Sequence, residues 1–193
     1  NTDGSPNDLF LPWCITSRML SGADYLGSLQ LPHGSPNHLF ARDGQAILAV
    51  WNQTPVTESL YLGNDVVQID PWGRKTVLSD SEQPTDEPQE VAAGPLPTFV
   101  TGLNLAVARW RLSTTFKPDQ LVSRFGHYQS SSYQFENTFD QGVGGTVKLD
   151  VPDVWDVRNS NLRFKLGNDE EFRRDFSVLL HTNASSGPQP VSL

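Results

Sequence analysis

The spacing of hydrophobic and polar positions changes near Gly22. Before it, Leu9, Trp13, Thr16 or Ser17 and Leu20 recur at roughly helical intervals, which predicts one short helix over residues 8–21. Pro12 fits a first turn, and Gly22 suits a helix end. Beyond Gly22, short apolar runs alternate with turn residues. Strands are expected at 25–31, 38–42, 46–51, 59–62, 66–70, 75–78, 90–93 and 98–101. Asp43-Gly44 between two such runs is a hairpin signal.

The second half alternates more cleanly. Val147, Leu149 and Val151 share one face, as do Leu162, Phe164 and Leu166, and Phe176, Val178 and Leu180. Ala106, Ala108, Trp110 and Leu112 repeat the pattern opposite Arg109 and Arg111, so a strand is expected there too. A period of two gives each strand one buried and one wet face, as in an antiparallel sandwich. Gly167 to Glu170 is expected as the turn of a hairpin. The predicted fold is all-β: two antiparallel β-sandwich domains in tandem, with one short N-terminal helix. Residues 1–21 read as the helical tail of an upstream domain, 22–102 as the first sandwich and 103–193 as the second. Only about six strands follow Leu105, and the chain stops at Pro190 to Leu193 as if within a strand, so the second sandwich is expected to be truncated.

Composition narrows the function classes. A chain of 193 residues accommodates one or two domains, and its 14 Pro and 15 Gly are spread along it, as many turns require. A net charge of −8 repels phosphate backbones, so no nucleic-acid partner is expected. No apolar run is long enough to span a membrane. Cys14 has no second cysteine to pair with. Residues 80–90 read as a solvated acidic loop. Asn52-Gln53-Thr54 and Asn183-Ala184-Ser185 are glycosylation-type triplets that matter only in a eukaryotic secretory setting.

Candidate chemistry is sparse. A glycosidase holds two carboxylates across a sugar cleft, but the acids here fall mostly in turns, among them Asp43, Asp65, Asp169, Glu170 and Glu171. His33, His38, His127 and His181 do not form a metal-ligand pattern, and no metal or cofactor is implied. Gly142 to Gly145 leads into a strand rather than a phosphate-binding helix, and Ser130 to Ser132 lacks an elbow motif. Trp51 and Trp110 are expected in the core. Trp72 and Trp155, at a turn and a strand end, are the candidate sugar-stacking rings, with Asp70 beside Trp72 as an acid partner. Asp70 also suits a purely structural role, closing the Asp70 to Gly73 turn.

Several stretches resemble known families. Leu20 to Gly27, His38 to Arg42, Ala46 to Asn52, Leu60 to Gly63, Ile69 to Arg74 and Gly94 to Val100 resemble the β-sandwich that follows the catalytic (β/α)8 barrel in bacterial glycoside hydrolase-like proteins. Tyr133 to Asn137, Gly145 to Leu149, Val151 to Val157 and the segments around Leu162 and Phe176 resemble the immunoglobulin-like domain attached to α-galactosidases. The resemblance implies a non-catalytic accessory or structural region of a secreted, periplasmic or cell-surface protein. The upstream barrel of the same parent chain would be its partner, and residues 8–21 would be the last barrel helix. The alternatives are a carbohydrate-binding module using exposed tryptophans, and a docking or dimerisation module pairing through an open strand edge.

Overall fold

A computed structural model of the chain describes residues 7–80, 82, 87–149, 151–185 and 187. The fold is all-β with short helices, and it separates into two compact units, Asn1–Leu112 and Ser113–Leu193.

In the first unit, helix α1 (Phe10–Leu20) precedes strands β1 (Asp24–Gly27), β2 (Asn37–Arg42), β3 (Gln45–Val50), β4 (Val56–Leu60), β5 (Val67–Ile69), β6 (Lys75–Val77), β7 (Gln89–Ala93) and β8 (Thr98–Asn104). Six of them form one antiparallel sheet in the order β1-β2-β3-β8-β5-β6, and β4 pairs with β7 as a second layer. Between the layers lie Leu39, Leu48, Val50 and Val100 from the large sheet and Leu60, Val91 and Ala93 from the small one. The β2–β3 hairpin turns at Asp43 and Gly44, with φ of 52° and 77°, a left-handed pair that glycine accepts freely and aspartate tolerates.

The opposite face of the large sheet is covered in part by α1. Ile15, Met19 and Leu20 pack against Ile47, Ala49, Ile69 and Phe99. β3 is therefore buried on both faces, which is why its Ala46 to Val50 run is apolar without alternation. Arg42 on β2 ties the helix down, its Nη1 donating to the carbonyls of Met19 (2.7 Å) and Arg18 (2.9 Å). These carbonyls sit in the last turn, where a cation is favoured. The N-terminal end of α1 faces water: Leu9, just before it, and Phe10, Leu11 and Trp13 within it are 48–66% exposed.

The segment expected as a strand from Ala106 to Leu112 is instead a helix, α2 (Leu105–Ser113). The Asn104 side chain caps its start, its Oδ1 accepting from the Ala106 and Val107 N–H groups at 2.9 and 3.2 Å. Leu105, Ala108 and Leu112 then share one helical face, and they pack on the sandwich core. Arg111 donates from Nε to the Tyr61 carbonyl at 2.9 Å. The division between units falls after Leu112 rather than at Gly102 to Asn104, because this helix packs on the first sandwich.

The second unit contains β9 (Thr115–Lys117), β10 (Tyr128–Glu136), β11 (Val143–Lys148), β12 (Trp155–Arg158), β13 (Asn161–Leu166) and β14 (Glu171–Leu180). They form a four-stranded antiparallel sheet, β12-β14-β10-β9, and a two-stranded one, β11-β13. Aromatic rings fill the core: Tyr133, Phe135, Phe164 and Phe172 meet at centroid distances of 4.9–6.4 Å. Gly167 to Glu170 does not close a hairpin. It carries the chain from β13 in one sheet to β14 in the other, as residues 166 and 171 pair with different partners. The expected broken strand at Pro190 to Leu193 and residues 81 and 83–86 of the acidic loop lie outside the described residues.

Candidate functional site

Asp70 and Trp72 share the tight turn between β5 and β6, and Asp70 is committed to that turn. Its Oδ1 accepts from the N–H groups of Trp72 and Arg74, both at 2.9 Å, and its Oδ2 accepts from Arg74 Nε at 2.6 Å. Burial pushes its carboxyl up, but the Arg74 N–H and guanidinium and the Trp72 N–H together hold it below the usual aspartate value. The structural reading of this acid matches its bonding. Trp72 is 50% exposed, with the Arg74 guanidinium 5.7 Å from its ring centre. Trp155 belongs to the second unit; it is half-buried on β12, paired with Leu180. The three candidates thus supply one turn-locking acid, one exposed ring and one half-buried ring.

A different set of rings converges on the part of the large sheet that α1 leaves uncovered. Tyr25 on β1, His38 and Phe40 on β2, and Trp51 just after β3 lie side by side. Trp51 was expected in the core, but it is only half-buried, on the outer face that it shares with Ile47 and Ala49. Tyr25 and His38 meet at 5.4 Å and 83°, and His38 and Trp51 at 5.3 Å and 62°. Tyr25 and Phe40 are 5.7 Å apart at 63°. All of these are edge-to-face contacts, in which the edge of one ring meets the face of the next. His38 is exposed, and Tyr25 is 58% exposed.

Beside these rings runs a groove of about 430 Å³, walled by the β1–β2 connection and including Ser28, Gln30, Leu31, Gly34, His38 and Trp51. Ser28 Oγ donates to the Asn37 carbonyl at 2.7 Å and lies 3.3 Å from His38 Nδ1 and 3.4 Å from the Tyr25 hydroxyl. The connection is braced from beneath by two buried polar side chains. Asn37 bonds the Leu29 N–H and carbonyl, each at 2.8 Å, and the Ser35 carbonyl at 3.0 Å. Glu58, facing inward from β4 and fully buried, accepts from the N–H groups of His33 (2.9 Å) and Ser35 (3.1 Å). Burial raises the Glu58 carboxyl, but these N–H groups, the Ser35 hydroxyl and the adjacent His33 lower it further, leaving it below the usual glutamate value. Asn52 adds a bond from Nδ2 to Ser35 Oγ at 3.0 Å, so the amide nitrogen of that glycosylation-type triplet is engaged.

Sequence patterning does not single out this cluster. His38 and Phe40 are visibly on one strand face, but only register brings Tyr25 opposite Phe40 and His38 opposite Ala49, two residues before Trp51. Among the described residues, no group of three or more His, Cys, Asp or Glu side chains could hold a metal ion. Among the described residues, no helix is long and apolar enough to cross a membrane. Compared with known proteins, the chain matches no family model, no curated protein and no solved structure.

Proposed function

We propose that this chain is a non-catalytic accessory region of a secreted glycoside hydrolase-like protein, a pair of β-sandwich modules that packs beside a catalytic barrel in the same parent chain. The observation that carries the reading is helix α1. One face is anchored on the large sheet by Ile15, Met19, Leu20 and Arg42, while Leu9, Phe10, Leu11 and Trp13 stand in water. An apolar patch of this kind is the mark of a surface that another domain covers. The bonding of the two acids with lowered pKa supports the same reading, since Asp70 and Glu58 both hold their own backbone in place. The chain is expected to leave aryl glycosides unhydrolysed. Turnover that disappears when its own acids are substituted would overturn the proposal.

Carbohydrate binding through Trp72 is the second reading, favoured by the 50% exposure of that ring. A tryptophan-fluorescence quench by oligosaccharide that is lost in Trp72→Ala would support it.

A further inference from the structure

We infer that the aromatic strip of Tyr25, His38 and Trp51, together with the groove beside it, is a binding site for a neutral oligosaccharide. The inference stands whether or not the parent is a hydrolase, and it uses a site separate from Trp72. A pyranose presents a C–H-rich face and a rim of hydroxyls. The strip offers a complementary apolar surface: rings packed edge to face, with Tyr25 and His38 exposed to solvent. The rim of the sugar would meet the Ser28 hydroxyl, the Gln30 amide and the Tyr25 hydroxyl, which border the same groove or bond to its wall. Among the described residues, no Asp, Glu, Lys or Arg lines the groove. Glu58, which braces the groove wall, accepts bonds from that wall through both oxygens. Apart from the His38 imidazole, the described lining offers a ligand no ionisable side chain, so a neutral one is favoured.

The site is also built in advance. Buried Asn37 and Glu58 hold both sides of the connection in one conformation, so little ordering remains to be done on binding. The groove volume falls within the range of roughly 300–1,000 Å³ typical of small-ligand sites.

The test titrates the chain with neutral gluco-, xylo-, manno- and galacto-oligosaccharides, followed by isothermal calorimetry. The same titrations use Tyr25→Ala, His38→Ala, Gln30→Ala and Trp72→Ala, each checked for native far-UV circular dichroism and an unchanged melting temperature. Tyr25 and His38 are exposed, so their truncation should leave the fold intact. The expected result is saturable binding of at least one sugar series, weakened about tenfold or more by Tyr25→Ala or His38→Ala and unchanged in Trp72→Ala. Binding lost only in Trp72→Ala would overturn the inference. So would a flat response of the folded chain across the whole panel.

Discussion

His33 and Glu58 meet twice: the His33 N–H donates to Glu58 Oε2 at 2.9 Å, and the His33 ring nitrogen Nδ1 lies 3.5 Å from the same oxygen. Glu58 is fully buried while the His33 ring is mostly exposed, so the pair pins an outer loop to an interior carboxylate. A carboxyl whose folded value lies below its unfolded one binds a proton more readily in the unfolded chain. The stability it contributes is complete above the usual glutamate value of about 4.3, and it is lost as pH falls through the lower, folded value. Denaturant midpoints measured down the acid range should therefore fall below about pH 4, and Glu58→Gln should flatten that fall. A variant with the same acid profile as the parent chain would remove Glu58 from this role.

Truncating the same residue to alanine leaves the His33 and Ser35 N–H groups without their acceptor. Glu58→Ala should cost roughly 1–3 kcal/mol in urea unfolding. Hydrogen exchange should rise at His33 and Ser35 beyond any global change. Uniform exchange across the first unit would instead mean that the carboxylate does not brace the loop.

Gly102 lies in a bulge of β8, where Ala46 and Leu48 pair with Leu103 and Val100 and two residues oppose Ile47. Its φ is +79°, and a Cβ there would overlap the Asp65 carbonyl oxygen. Gly102→Ala should destabilise the first unit by roughly 1–3 kcal/mol or more, since backbone strain and overlap with main chain act together. A melting temperature equal to the parent's would contradict this geometry.

Tyr133 sits at the centre of the aromatic core of the second unit, fully buried, and its hydroxyl makes no hydrogen bond among the described residues. Burial raises its hydroxyl above the ordinary tyrosine value. Removing an unsatisfied buried hydroxyl relieves a desolvation penalty, so Tyr133→Phe should be neutral or stabilising by about 1 kcal/mol. A clear loss of stability would reveal a partner for that oxygen.

Trp13 is 66% exposed on α1, nearer the helix start than the packed residues Ile15, Met19 and Leu20. Trp13→Ser should change the stability of this chain by less than about 0.5 kcal/mol, as surface positions do. A loss of several kcal/mol would show that the ring is covered within the chain itself.

Much of this fold is determined by the sequence alone. Period-two alternation marks β13 and β14 as half-buried strands, Asp43-Gly44 specifies a turn with two left-handed residues, and the 8–21 spacing marks α1. These signals are local: each depends on neighbours a few residues away, and the backbone responds to them directly. Residues 105–112 show where locality ends. Ala106, Ala108, Trp110 and Leu112 alternate like a strand, yet Leu105, Ala108 and Leu112 also fit a helical face. Asn104 was a readable cap that favoured the helix, and packing on the first core decided between the two. The turn-locking role of Asp70 was legible for the same local reason, because its acceptors serve N–H groups two and four residues away. The aromatic strip was not. It depends on the register of three strands and on how far α1 reaches across their outer face, and both are set by contacts between residues distant in sequence. Tertiary structure likewise moved Trp51 from an expected core position to the wall of an open groove, since a strand residue is buried only where another layer covers its face.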